Sequence, residues 1–379
     1  MKLRTWWRWI AVSAVAVLVL GACSGDDDAA DGPTTTAGGT DDTTEETIEL
    51  VQDGESLLTS VQSAGTLVCG VNDAVPGFGF TDADGQFSGF DIDFCRVVAA
   101  AVLGDADAVE YVPLTAAQRF TALQSGEIDV LIRNTTWTAT RDGGEGAAFA
   151  TTTFYDGQGM MVRTDAGISS IDDLDGASIC VLSGTTTELN LASRFNAGGL
   201  AYSPLSFEDN DTLREAFLAG QCDGWTSDKS QLAAVRSAYP ETDGGPSALV
   251  ILDETFSKEP LGPAVRDGDS KWFDAVNWAV IVTIQAEEFG ITSENVDTFL
   301  TSDNPEILRF LGQPVPPDDA VFDPGLGLDT DFALNIIQQV GNYGEIYDRN
   351  VGPGTALDLA RAENDLWTNG GLLYVPPYR

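Results

Sequence analysis

Apolar and polar positions divide the chain into three regions. Trp9 to Leu20 is one apolar run, and Ser24 to about Ser56 is almost free of apolar residues. From Thr66 onward short apolar stretches alternate with longer ones at helical spacing. The pattern predicts a strand over Leu67–Val71, a Gly/Pro/Phe loop over Asp73–Phe80, and a helix over Ile92–Leu103 with Asp91 as its N-cap. It then predicts a strand over Tyr111–Pro113, a helix over Ala116–Gln124 capped by Thr115 and ended by Gly126, and a buried strand over Val130–Ile132. Strands alternating with helices in this way predict an α/β lobe with a largely parallel sheet.

A second copy of this order follows. The segment from Ala122 through Gly126 to Asp129 is matched by the one from Phe217 through Gly220 to Asp223. Leu67-Val-Cys-Gly-Val71 has a counterpart in Ser178-Ile-Cys-Val-Leu182. Two lobes of one plan are expected, built around Thr66–Thr153 and Gly159–Leu252. After Leu252 the chain returns through a strand over Leu261–Arg266 and a helix over Lys271–Phe289. That helix places Trp272, Val276, Ala279 and Val280 on one buried face. Glu306–Leu311, Phe332–Val340 and Ala356–Trp367 read as further helices, Gly341–Asp348 as a turn into an amphipathic segment, and Pro376–Tyr378 as an extended tail.

The first two regions read as export machinery. Lys2, Arg4 and Arg8 precede the apolar run, which ends on Leu20-Gly-Ala-Cys23, small residues before a cysteine. Twelve residues are too few to span a bilayer comfortably, so this is a signal-peptide pattern. It resembles the lipobox of bacterial lipoproteins, which implies cleavage before Cys23 and a lipid on its sulfur. The Asp/Thr/Gly/Glu-rich stretch behind it reads as a tether that buries too little to order itself. The expected division is 1–22 leader, 23–56 lipidated cysteine and tether, 57–155 first lobe, 156–253 second lobe, and 254–379 return to the first lobe with a helical extension.

Charge and composition narrow the chemistry. Nineteen Lys+Arg stand against 59 Asp+Glu, a formal net charge of −40 in 379 residues. Nucleic acid is a poor partner for such a surface, since that affinity rests on neutralising phosphates. Histidine is absent, which removes the commonest general base and metal ligand. Apart from Cys23 there are four cysteines, Cys69, Cys95, Cys180 and Cys222. None are spaced Cys-x-x-Cys, so a zinc site is not expected. Three disulfide pairings are open; keeping each bridge within one lobe favours Cys69 with Cys95 and Cys180 with Cys222. No metal and no cofactor are expected.

Two places carry candidate binding chemistry. The strand over Val130–Ile132 runs into Asn134, Thr135, Thr136, Thr138 and Thr140 and ends on Arg141. Ligands of open α/β sheets sit beyond the carboxyl ends of strands, and a guanidinium fork suits a small carboxylate. An ordinary Thr-rich loop has the same letters. In the second lobe Ser183-Gly-Thr-Thr-Thr-Glu188 joins a strand to a helix start whose free N–H groups favour an anion, with Thr185 to Glu188 as a capping box. Asp228 ends the following strand, Asp223-Gly-Trp-Thr-Ser-Asp228, on a carboxylate. Arg141 from one lobe and Asp228 from the other would fit a zwitterion whose bridging closes the lobes.

Several stretches together resemble one family. Gly89-Phe-Asp-Ile-Asp-Phe-Cys95, Arg119-Phe-Thr-Ala-Leu-Gln-Ser-Gly-Glu-Ile-Asp129, Arg133-Asn-Thr-Thr-Trp-Thr138 and Ser183-Gly-Thr-Thr-Thr-Glu-Leu-Asn190 carry the likeness, as do Ser257–Arg266 and Gln339–Asn350. From about Thr66 to Arg379 the chain is similar to the polar amino-acid-binding proteins of ABC importers (extracellular solute-binding protein family 3), within them to the general L-amino-acid-binding subfamily. The resemblance implies a type II periplasmic-binding-protein fold, two α/β lobes joined by two crossing segments with ligand in the cleft.

It also implies roles. Arg141, helped by Thr136, would take the α-carboxylate; Thr185 and Thr186 would donate from the second lobe. Asp228 and the Asn134 carbonyl would take the α-ammonium, and Asn72 and Asp73 would approach the side chain. The same two disulfides are implied. The chain departs from narrow-specificity members where Ala74 and Ala116 replace aromatics and Phe78 and Phe80 are shifted along, which implies a roomier pocket. The expected protein is a lipid-anchored, extracytoplasmic, monomeric receptor that hands L-amino acids to membrane permease subunits. An enzyme on the same fold, dehydrating a cyclic acid, and a sensory module are the alternatives.

Overall fold

The computed structural model describes residues 56–378; the expected leader, the lipidation site at Cys23 and all but the last residue of the tether lie outside them. Two five-stranded sheets organise the chain. The first has the order Val109–Pro113, Leu67–Val71, Val130–Leu131, Ala264–Arg266, Ala147–Phe149. The second has the order Tyr202–Phe207, Ala177–Leu182, Gly224–Asp228, Gln158–Arg163, Leu249–Ile251. In each, three strands are parallel and the remaining two join antiparallel. The repeat seen in the sequence is therefore a repeat of sheet order.

Phe154–Asp156 carries the chain out of the first lobe, and Glu259–Leu261 brings it back. These strands pair antiparallel, with Glu259 opposite Asp156 and Leu261 opposite Phe154, as a two-stranded crossing ribbon. The returning strand is not continuous over Leu261–Arg266 as expected. It breaks at Gly262-Pro263, because Pro263 has no N–H for a ladder; Gly262 N–H donates to the Thr135 carbonyl at 3.1 Å and the Pro263 carbonyl accepts from Ala150.

The first lobe owes its large core to the returning chain. Helix Phe90–Leu103 packs on helix Ser270–Glu288, whose Trp272, Val276, Ala279 and Val280 are wholly buried, as their spacing predicts. Phe90, Phe154, Tyr343 and Tyr347 meet edge to face and stacked beneath the ribbon, an arrangement worth somewhat more than the burial alone. The second lobe has a smaller core on each face of its sheet, around Phe217 and Trp225 on one and Met160 and Phe195 on the other. Disulfides Cys69–Cys95 and Cys180–Cys222, with Cα atoms 6.2 and 5.7 Å apart, each tie elements of one lobe.

Four further expectations change. Asp91 is not an N-cap: the helix begins at Phe90 behind Gly89, and Asp91 is its second residue, buried. Thr115 opens a turn with Gln118, so the next helix begins at Arg119. Ala356–Trp367 is not a helix but irregular chain with 3-10 turns at Ala362–Asn364 and Trp367–Asn369, because Asp358 and Ala362 take positive φ of 50° and 43°. The extended C-terminal segment is not free: Tyr378 is buried against Trp278 and Phe310.

Candidate functional site

The loop behind strand Val130–Leu131 is bent by Asn134 at φ 28°, a left-handed conformation that Asn tolerates better than most residues. Buried Asp91 holds the bend by accepting the Asn134 N–H at 2.7 Å. Burial pushes the Asp91 carboxyl up to about 6, against the pull of that hydrogen bond and of Arg133. The bend aims the Asn134 amide at the second lobe, where Nδ2 donates to Gln231 Oε1 at 3.3 Å. On its other side Asn134 Oδ1 accepts from Asn72 Nδ2, also at 3.3 Å.

Three guanidiniums converge behind the loop. Arg141 rides on the short helix Ala139–Gly144, capped by Thr138, and its Nη1 donates to the Thr136 carbonyl at 2.7 Å. Arg133 Nε donates to the Leu114 carbonyl at 2.7 Å. Arg119 opens its helix with 3% exposure, reaches Thr135 Oγ1 and the Gly184 carbonyl only at 3.4 and 3.5 Å, and leaves Nε with no partner among the described residues. Arg119 and Arg141 also lie 5.4 and 5.1 Å from the Phe120 ring centre. Burial, then the neighbouring Arg141 and Arg133, hold the Arg119 pKa well below its ordinary value.

The second lobe answers with acceptors and hydroxyls. Thr185 caps helix Thr186–Gly198, accepting from Glu188 N–H at 3.1 Å while its hydroxyl donates to the Leu182 carbonyl at 2.7 Å. Glu188 completes the turn by accepting from Gly184 N–H, not from the cap residue itself. Asp228 ends its strand 5% exposed, and its Oδ1 has no partner among the described residues. Burial, then the carboxylates of Asp156 and Glu259, push its carboxyl well above the usual range, with Arg119 and Arg141 pulling the other way.

Glu259, in the crossing ribbon, joins the two sides. Its Oε2 accepts from Thr136 of the first lobe at 2.6 Å and from Thr186 of the second at 2.8 Å; its Oε1 accepts from Asn190 at 2.9 Å and Ser257 at 2.5 Å. With Thr136 and Thr186 hydroxyls 3.4 Å apart, the lobes are closed on one another.

Behind these contacts lies a cavity of about 20 Å3, walled by Arg119, Arg133, Asn134, Thr136, Thr185, Thr186, Ser227, Asp228 and Gln231 among others. That holds about one water, so the lobes must part to admit an amino acid. The expected residues Asn134, Thr136, Thr185, Thr186 and Asp228 thus meet at one place. Arg141 stands just outside that wall, held to Thr136. Asn72 and Asp73 line a neighbouring cavity of about 180 Å3 with Ala74, Arg133, Asp209 and Asn210. Phe78 is in the core, packed on Phe90 and Phe154, and does not reach the cleft. A larger cavity of about 720 Å3 lies beside the ribbon, lined by Trp137, Tyr155, Lys229, Lys258 and Leu372; it lacks the facing orphaned acid and guanidinium of the small one.

Sequence reasoning passed over Arg119, Gln231 and Glu259 as site residues. Gln231 was accessible, one helical turn beyond Asp228. Arg119 and Glu259 stood in quoted motifs, but charges in a motif do not announce burial.

The model of bacterial extracellular solute-binding proteins, family 3, matches residues 67–295. The chain belongs to that family. It is 51% identical over 322 residues to the general L-amino acid-binding periplasmic protein AapJ of Rhizobium johnstonii, covering 85% of this chain and 92% of the relative. It is 47% identical to the glutamate/glutamine/aspartate/asparagine-binding protein BztA of Rhodobacter capsulatus, covering 86% and 94%. Among solved structures, an ABC transporter periplasmic binding protein from Brucella ovis with glutathione bound superposes at a TM-score of 0.82. It is 48% identical and covers 86% of this chain and all of that one. The two-lobed type II fold is that of this family. Among the described residues no helix is long and apolar enough to cross a membrane, and no acidic or cysteine cluster is placed to hold a metal ion.

Proposed function

We propose that this solute-binding protein is the receptor component of an amino-acid ABC importer, taking free L-amino acids between its lobes and presenting them to membrane permease subunits. The observation that carries the reading is the orphaned Asp228 oxygen facing buried guanidiniums across a cleft that both lobes close. An α-ammonium would satisfy that carboxylate and hold it ionised, and an α-carboxylate would engage Arg141 beside Thr136, with Thr185 and Thr186 helping from the second lobe. The names of the relatives support it: general amino acids, acidic amino acids and their amides, and glutathione all present an α-amino acid end. The same reading has Cys23 lipidated, so that the chain works as a monomer tethered outside the membrane; the mass of the mature N-terminal peptide checks this. It also makes the protein a binder and not an enzyme, which turnover of a cyclic acid would overturn.

Calorimetric titration of the chain from Thr47 onward, which contains the compact unit Gln52–Arg379, tests the clamp. Several L-amino acids should bind, and Arg141→Ala and Asp228→Ala should each lose roughly 2–5 kcal/mol of binding, because each leaves a buried charge unpaired. No binding among all twenty amino acids would sink the receptor reading. Binding confined to acids without an amino group would show Asp228 misassigned.

A further inference from the structure

We propose that the large cavity beside the crossing ribbon is a second binding site, for an aromatic carboxylate, and that its occupant favours the closed lobes. The site stands on its own observations; its effect on amino-acid affinity rests on the receptor reading above.

The placement of lysine points to an anion. The described residues contain three lysines, and two of them, Lys229 and Lys258, line this one cavity of about 720 Å3. Every ion pair among the described residues uses an arginine, so neither lysine is paired with an acid in a chain of net charge −40. Lys229 Nζ donates to the Asp253 carbonyl at 2.8 Å, and Lys258 is exposed. Three acids also border the cavity. Glu259 already accepts from four hydroxyl and amide donors, and Asp156 accepts from the Gly157 and Ser230 N–H groups at 2.7 and 3.2 Å. Glu363 is exposed, where water and salt screen it. An α-ammonium would find no acid here comparable to Asp228, whereas an anion would meet two ammonium groups.

The rest of the wall is flat and apolar. Trp137 is 44% exposed, yet its ring is fixed by a 2.6 Å hydrogen bond from Nε1 to Asp142 and by stacking on Phe149. Tyr155 and Pro260 oppose one another in the ribbon, and Leu372, 52% exposed, forms another side. Aromatic faces of this kind suit a ring. The lysines, point charges without the fork of arginine, suit its carboxylate. The volume lies within the range of small-molecule sites.

Its position couples the cavity to closure. Side chains along a strand face alternate sides. Thr136 lies opposite Leu261 and bonds Glu259, so Trp137, Pro260 and Tyr155 face away from the contact that shuts the cleft. Trp137 and Leu372 belong to the first lobe, Lys229 and Thr255 to the second. A molecule touching both holds the lobes in the arrangement that brings these walls together. By linkage it tightens any ligand that needs the same closure.

The test is calorimetry on the same chain with 2-naphthoate, acetate and 2-naphthylmethanol as probes. Naphthoate should bind once per chain; acetate lacks the ring and the alcohol lacks the charge, so each should bind at least tenfold more weakly. Lys258→Gln and Trp137→Leu should each weaken naphthoate at least tenfold, while amino-acid affinity without naphthoate stays within twofold of wild type. Saturating naphthoate should tighten amino-acid binding at least threefold in the wild type and not in Lys258→Gln. No naphthoate binding to the wild type, or unchanged binding in both variants, would overturn the site. Competition between naphthoate and amino acid would also overturn it, since the cavity would then be an extension of the cleft. Naphthoate binding that leaves amino-acid affinity unaltered would overturn the link to closure. Silence toward every amino acid would count against the receptor reading, and the naphthoate titrations would still decide the site.

Discussion

Individual side chains set the electrostatic character of this cleft, and burial is the dominant cause. Asp91 shows how that can be read out. Its carboxyl is raised from 3.8 to about 6, so the folded chain holds a proton there over a pH range in which the unfolded chain has released it. The resulting stability is fully present below about pH 4 and is lost as pH rises through about 6. Asp91→Asn keeps an acceptor for the Asn134 N–H but removes the titration. Urea unfolding from pH 4 to 7 should show the wild type losing stability relative to the variant by up to about 1.4 kcal/mol per pH unit between those values. A difference independent of pH would mean that Asp91 stays ionised throughout. The sequence identified Asp91, but as the N-cap of a helix. Its actual role needs the loop at Asn134, more than forty residues away.

At the scale of elements, the sequence was legible where one physical preference dominates. Strand Leu67–Val71 lies where its apolar run placed it, and Gly126 ends its helix in the left-handed conformation at φ 77°. It was less legible where tertiary packing sets a boundary. Helix Phe90–Leu103 starts behind Gly89 because the Phe78 backbone fills the space that a side chain would occupy; at φ 129° a Cβ there would run into the Phe78 carbonyl. Gly89→Ala should therefore cost roughly 2–4 kcal/mol, strain and collision together. A denaturation midpoint unchanged from wild type would show that the turn relaxes freely. The irregular chain from Ala356 to Trp367 has helical composition, and its neighbours override it: Arg361 stands over the Tyr343 and Tyr347 rings and pairs with Glu287 at 3.0 Å.

On the scale of the whole molecule, two sheets of identical order are joined by one ribbon, and Glu259 in that ribbon holds a hydroxyl from each lobe. Removing its carboxylate should loosen closure without disturbing either core. Glu259→Ala is expected to enlarge the ligand-free radius of gyration in solution scattering and to weaken amino-acid binding by about 1.5–3 kcal/mol, the scale of hydrogen bonds to a charged group. An unchanged radius with unchanged affinity would make the contact incidental to closure.

The sequence by itself determined the two-lobed α/β plan, the repeat of strand order and the position of Asp228 at a strand end. These follow from local preferences and periodicity, which any stretch of chain carries with it. Only the tertiary structure decided that Arg119 is the least satisfied of three guanidiniums, that Glu259 bridges the lobes, and that four amides, Asn72, Asn134, Gln231 and Asn210, form a row across the cleft. Burial and hydrogen bonding between residues far apart in the chain belong to no single segment: Asn72 and Asn210 are joined through partners that meet only when both lobes have folded and closed.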